Sequence, residues 1–219
     1  MEIKVFQNEL FNNGNSYLLI NDKKEAILID LANKADEILE YIEKNNINLT
    51  TILITHGHFD HLVSIEKVLT KFNNLKLYIG KEDEVCLYDP EMNAGASRNN
   101  FWKLENKYKN TILIDKSISL NINDFNFDIY LMKGHTPGTV FYHLVDLNYM
   151  FCGDTLFKEK IGFHGKEMKR CNDDIFKKSI QFLYTNKFKD TTLFPGHHES
   201  NIKISEIKKI NIIANEFIK

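Results

Sequence analysis

Twice along this chain a set of short strand-like apolar runs gives way to stretches of helical period, and few architectures can bury both kinds of face. Runs at Ile3–Phe6, Ser16–Ile20 and Ala26–Ile29, joined by the turn signals Asn12-Asn13-Gly14-Asn15 and Asn21-Asp22-Lys23, read as antiparallel strands. Ala35 to Lys44 then sets Ala35, Ile38, Leu39 and Ile42 at helical spacing; Thr51–Ile54 reads as a buried strand. Leu62 to Phe72 returns to the helical period, and Leu75–Ile79 is again strand. The second half repeats the plan, with strands near Thr111–Ile114, Ile118–Leu120, Phe125–Leu131, Thr139–Val145 and Tyr149–Cys152. A helix near Asp173–Tyr184, a strand at Thr192–Phe194 and a last helix from about Ile204 complete it. Two mixed sheets packed face to face with helices on their outer faces would bury every one of these faces. The expected class is therefore α+β, a four-layer αββα sandwich.

With 43% hydrophobic residues in 219, the core is large enough for one domain spanning residues 1–219, and no linker or low-complexity segment interrupts it. Residues 81–110 are the least regular part, polar and loosely helical, with Trp102 and Tyr108 as its large side chains. Both are expected in the core, or as anchors if the segment caps a site. The formal net charge of -2 carries no basic block, which argues against nucleic acid as a partner. No apolar leader and no 18-residue apolar stretch is readable, so neither a signal peptide nor a membrane span is expected and the chain is placed in the cytoplasm. Three widely spaced cysteines, Cys86, Cys152 and Cys171, suit a reducing compartment and read as small buried or surface side chains. Oligomeric state is not legible.

Chemistry concentrates at strand ends. Ile54-Thr-His-Gly-His-Phe-Asp-His-Leu-Val63 brings His56, His58, Asp60 and His61 into six positions after a buried strand. His56 and His58 are two apart and in extended chain point to one side, so they can converge on one ion. Asp60 and His61 fall where the helical period begins, where a second ion could be held. Three further candidates follow strand-like runs beside glycine or proline: His135 in Lys133-Gly-His-Thr-Pro-Gly138, Asp154 in Phe151-Cys-Gly-Asp-Thr155 and His197 in Phe194-Pro-Gly-His-His198. His143, inside a strand-like run, reads as structural.

The motif H-x-H-x-D-H followed by single His, Asp and His positions resembles the metallo-β-lactamase-fold hydrolase superfamily over nearly the whole chain. The resemblance implies that His56, His58 and His135 ligate one metal, that Asp60, His61 and His197 ligate a second, and that Asp154 bridges them. Two divalent ions are implied, zinc by default, with iron or manganese also suited to such ligands. The words Gly134-His-Thr-Pro-Gly138, Gly153-Asp-Thr-Leu-Phe157 and Pro195-Gly-His197 are most similar to the glyoxalase II-like (hydroxyacylglutathione hydrolase-like) branch. That branch implies a hydrolase attacking a small thioester or ester with metal-bound hydroxide, Asp60 orienting it and passing its proton on. An iron-dependent persulfide dioxygenase on the same fold, with His56, His135 and Asp154 on one iron, is the rival reading; a catalytically weak metal-binding protein is the other.

The chain departs from that branch in two places. About 20 residues follow His198, where glyoxalase II enzymes carry a helical region that helps hold glutathione, and Gly162-Phe-His-Gly165 stands where relatives show Gly-Arg-(Ser/Thr)-Asp. His164, Lys166 and His198 are the candidate substrate contacts, with Lys169 and Arg170 as further sources of positive charge. A pocket with modest dependence on the thiol portion of its substrate is expected.

Overall fold

Along β2 (Gly14–Ile20) successive side chains serve different layers: Leu18 and Ile20 pack with the helices, while Tyr17 and Leu19 pack with the opposite sheet. This period-two division recurs in each central strand and generates the layers. A computed structural model describes residues 1–8, 14–32, 34–165 and 170–219. The expected turn residues Asn12 and Asn13, and the candidates Lys166 and Lys169, lie outside the described residues.

The first sheet runs in chain order: β1 (Glu2–Asn8), β2, β3 (Glu25–Ile29), β4 (Asn48–Leu53), β5 (Lys76–Gly80) and β6 (Thr111–Ile114). Its first two pairings are antiparallel and the remaining three parallel. The second sheet contains β7 (Ile118–Ile122), β8 (Phe125–Leu131), β9 (Val140–Leu144), β10 (Tyr149–Gly153), β11 (Thr192–Pro195) and the short β12 (Ile202–Lys203), also in chain order across the sheet. Only β10 and β11 pair in parallel there. The two-residue β12, which carries too short an apolar signal to be read from sequence, closes that edge.

Between the sheets, Ile27, Ile29 and Leu53 meet Phe127, Ile129, Tyr142 and Phe151, all within 1% of complete burial. Each such side chain contributes about 1.5–3 kcal/mol by leaving water. Helices α1 (Ala35–Lys44) and α2 (Ile65–Lys71) cover the outer face of the first sheet through Ile38, Ile42, Ile65 and Val68. Helix α3 (Asp173–Leu183), capped by the Asn172 side chain, covers the second sheet with α4 (Ile204–Ile210) and α5 (Ile212–Phe217). The four-layer αββα sandwich expected from the sequence is the observed architecture. The single last helix expected from Ile204 is instead two: Asn211 accepts from Ala214 N and donates to the carbonyls of Phe157 and Lys160, starting α5 afresh.

The same contacts fix one edge of the sandwich. Val140 N donates to Thr55 O at 2.7 Å and Tyr142 Oη to Ile54 O at 3.0 Å, so the second sheet is tied to the chain just before His56. Asn15 N donates to Gly196 O at 2.7 Å and Asn15 Nδ2 to Pro195 O at 3.0 Å, which ties β2 to the loop carrying His197. Leu31 N donates to His61 O at 2.9 Å. Among the described residues no helix is long and apolar enough to cross a membrane.

Candidate metal centre

At that edge the carboxyl ends of β4, β10 and β11 and the β8–β9 turn deliver all seven histidines and aspartates singled out by the sequence. They form three overlapping groups whose potential ligand atoms lie within 4.8 Å of one another: His56, His58 and His135; His56, His61 and Asp154; Asp60, His61 and His197. Pairwise, His58 Nδ1 lies 3.0 Å from His135 Nε2, and His61 Nε2 lies 3.2 Å from His197 Nε2. Asp154 reaches toward both sets, with Oδ1 3.4 Å from His61 Nε2 and Oδ2 3.3 Å from His197 Nε2 and 4.0 Å from His135 Nε2. Asp60 Oδ2 is 3.3 Å from His197 Nε2. Ligand bonds of about 2.0–2.2 Å set the corners of a tetrahedron roughly 3.3–3.6 Å apart, a range that holds the Asp154 contacts to His61 and His197 and the Asp60 contact to His197, with the other separations within a few tenths of an ångström of it.

Two buried polar atoms test the fit. His56 Nε2 and Asp154 Oδ1 are buried without a hydrogen-bond partner, an arrangement that is unfavourable unless something else satisfies them. Both belong to the group that joins the two sets. The opposite ring nitrogens are engaged: His61 Nδ1 with Asp30 Oδ2 at 3.0 Å, His56 Nδ1 with Thr55 Oγ1 at 3.1 Å and His135 Nδ1 with Phe163 O at 3.0 Å. The Thr55 hydroxyl in turn donates to Asp30 Oδ2 at 2.6 Å. Such partners fix the ring and leave the inward nitrogen its lone pair, as metal-binding imidazoles require. A donor set of imidazole and carboxylate with no thiolate suits zinc, iron or manganese.

The two sets differ electrostatically. Desolvation, reinforced by neighbouring imidazoles, holds His56, His58 and His135 below the ordinary imidazole range, His58 at about 3. These three are neutral and ready to donate. In the second set desolvation is outweighed: Asp154 and Asp30 raise His61, and Asp154 and Asp60 raise His197 to about 10. Burial of Asp60 is likewise outweighed by His197 and His61, which bring it to about 2. A cation entering the second set therefore displaces protons.

A cleft of about 490 Å³ opens above these residues. Phe157, Ile161, Phe163 and Ile213 give it apolar walls, and Arg98 and Lys160 give it positive charge. His164 and His198, expected near substrate, do line it: His164 stacks on Phe176 and pairs with Asp173, while His198 packs on Phe157. Arg170, expected to offer charge to substrate, is instead turned onto Cys86, Glu82 and Asp83. Arg98, whose guanidinium lies 5.8 Å from the Phe163 ring centre, and Lys160 are the cleft cations, and neither makes an ion pair among the described residues. Trp102 and Tyr108 pack on the outer core, and His143 bonds Asn148 on the second sheet, so all three are structural. Asp30 and Arg98 escaped the sequence reading; only the position of Asp30 at the end of a strand run hinted at a role.

Residues 10–203 match the Metallo-beta-lactamase superfamily. The chain is 28% identical to a probable metallo-hydrolase, YqgX, of Bacillus subtilis (strain 168) over 149 residues, 68% of this chain and 69% of that one. It is 29% identical to hydroxyacylglutathione hydrolase GloC of Haemophilus influenzae over 150 residues, again 68% and 69% of the two chains. Among solved structures, the BLEG-1 B3 metallo-beta-lactamase superposes with a TM-score of 0.86 at 26% identity, covering 97% of this chain and 99% of that one.

Proposed function

This chain belongs to the metallo-beta-lactamase superfamily, and we propose that it is a thioesterase-like hydrolase that cleaves a small thioester or ester at a binuclear metal centre. The observation that carries the reading is the group of His56, His61 and Asp154, which shares one histidine with each of the two three-residue donor sets and brings Asp154 to the lining of the cleft. In this reading His56, His58 and His135 hold one ion, Asp60, His61 and His197 the other, and Asp154 lies between them. The resemblance to hydroxyacylglutathione hydrolases favours a thioester over other acyl compounds.

Two divalent ions, zinc by preference, supply when bound a water that ionises near neutral pH and a Lewis acid for the carbonyl. The protein's own residues do the rest. Asp60, whose Oδ2 lies 3.3 Å from His197 Nε2 at the lining of the cleft, would accept a proton from the attacking water and return it toward the leaving group. A thiol leaving group, with an ordinary pKa of about 8.5, asks little of that acid. Asp30, through His61 directly and His56 by way of Thr55, fixes ring orientation. Phe157, Ile161, Phe163 and Ile213 seat an apolar acyl portion, while Arg98 and Lys160 favour a substrate that carries an anionic group.

Purified protein loaded with zinc, iron or manganese is assayed on acyl-glutathione, acyl-coenzyme A, a minimal thioester, a β-lactam and a persulfide. Two ions per chain and thioester hydrolysis are expected, with Asp60→Ala lowering kcat. A single iron per chain with oxygen uptake on the persulfide would replace this reading with the dioxygenase one.

A further inference from the structure

Asp83 looks in the sequence like one member of a solvated charge run, Lys81-Glu82-Asp83-Glu84. In the fold it is fully buried, at 0% exposure, in the 3-10 turn Lys81–Leu87 that follows β5. Its Oδ2 accepts from Gly57 N at 2.8 Å and from the Thr136 hydroxyl. Its Oδ1 accepts from Gly138 N at 3.1 Å, and Arg170 Nη1 stands 3.4 Å from the same oxygen. Gly57 separates His56 from His58, and Thr136 and Gly138 belong to the turn that begins with His135. One carboxylate thus grips both loops that carry the three-histidine set.

Two glycines make this possible. A Cβ on Gly57 would stand 2.6 Å from Cys86 Sγ and 3.0 Å from Asp83 Cβ, and a Cβ on Gly138 would stand 2.6 Å from Asp83 Cγ. Neither loop can carry a side chain there and still touch the turn. Burying a carboxylate is unfavourable unless donors surround it, and here two backbone N–H groups, one hydroxyl and one guanidinium do so. His61 and His197 are tethered by other groups: Asp30 on His61, and Asn15 and Tyr17 on the Pro195 carbonyl two residues before His197.

We infer that Asp83 is a positioning residue for the three-histidine site, joining the His56–His58 loop to the His135 loop so that three imidazoles present one geometry to a cation. The inference rests on reading His56, His58 and His135 as ligands. Removing the carboxylate leaves the imidazoles in place but frees the distance between the loops. Partners of this kind typically change metal affinity 10–100-fold.

Zinc affinity is measured by chelator competition on full-length protein in two backgrounds: His197→Ala, which isolates the three-histidine site, and His58→Ala, which isolates the other. Asp83→Asn turns one acceptor into a donor facing a donor. It is expected to weaken zinc about 10–100-fold in the first background and no more than about threefold in the second. The cobalt(II) absorption bands should shift only in the first. Thr136→Val, nearly isosteric, removes one of the hydrogen bonds and should weaken the same site by about threefold to tenfold, which keeps the test open should Asp83→Asn fail to fold. Equal losses at both sites, or no loss in either variant, would overturn the inference. Wild-type protein that takes up none of zinc, iron or manganese would overturn the functional reading and this inference together, whereas metal-binding wild type with unaffected variants overturns this inference alone.

Discussion

Asp30 Oδ2 accepts from His61 Nδ1 at 3.0 Å across 31 residues of sequence, and the same oxygen accepts from the Thr55 hydroxyl at 2.6 Å. Its other oxygen accepts from Thr55 N at 2.8 Å. Replacing Asp30 with Ala leaves three buried donors without their acceptor, each worth about 1–3 kcal/mol if it stays unsatisfied. Both His61 and the Thr55–His56 pair lose orientation. Zinc affinity is expected to fall about 10–100-fold, with a lower Tm in metal-free protein as well. Chelator competition and a thermal melt check the two effects separately; unchanged zinc affinity would show that the imidazoles orient themselves.

Metal removal gives the second expectation. An ion at about 100 times its Kd adds roughly 2.7 kcal/mol of stability if it binds only the folded chain. For a chain of this size each kcal/mol moves Tm by roughly 2–4 °C, so each site should be worth about 5–11 °C. Treatment with a chelator should lower Tm accordingly and added zinc should restore it in two stoichiometric steps. Asp154→Ala should weaken both steps, because Asp154 approaches His61 and His197 on one side and His135 on the other. A variant that loses only one step would make Asp154 a ligand of one site rather than a bridge.

Why these residues were readable and others were not follows from range. The strand and helix order is carried by local periodicity, and the seven site residues announce themselves because histidine and aspartate cluster beside glycine and proline at strand ends. Asp30 is marked locally only by its place at the end of a strand run and Asp83 not at all: their partners are 25 to 55 residues away, and Asp83 sits among charges that resemble a solvated surface. Arg170 was misread for the same reason, since its acceptors at Glu82 and Cys86 come from the far side of the chain. Asn211 splits the last helix because its side chain reaches the carbonyls of Phe157 and Lys160, which helical spacing does not reveal.

Charge selectivity in the cleft should be measurable but modest. Arg98 is exposed and lies over the Phe163 ring, and exposed ion pairs are worth about 0.2–1 kcal/mol. For two thioesters that differ only by a carboxylate, Arg98→Ala is expected to lower kcat/KM of the anionic one about threefold to fivefold and leave the neutral one within twofold. Raising salt to 1 M, where the screening length is about 3 Å, should erase the preference in wild type. Equal losses on both substrates would mean that Arg98 only supports the wall.

The cysteines report on the segment that flanks the loop carrying His56 and His58. Burial raises the thiols of Cys86 and Cys152 to about 12, while Cys171 is half-buried. A thiol with a folded value near 12 and an unfolded value near 8.5 to 9 keeps its proton longer in the folded chain, so its contribution to stability is intact below about pH 8.5 and is lost as pH rises toward 12. At pH 8.5 fewer than roughly one in a thousand of these buried thiols is a thiolate, and the thiolate is the nucleophile. Burial also raises the Cys171 thiol, but it is partly accessible, so an alkylating reagent should modify it faster than the other two, which react only through opening. Cys86 packs against Gly57 and accepts from Arg170, so its exposure requires the Lys81–Leu87 turn to lift from the loop that carries His56 and His58. Zinc should slow labelling of Cys86 by at least about tenfold, because an ion bound to the three histidines holds that loop down, and leave Cys171 unchanged. Mass spectrometry of the modified peptides reads each rate; zinc slowing all three alike would point to global stabilisation instead.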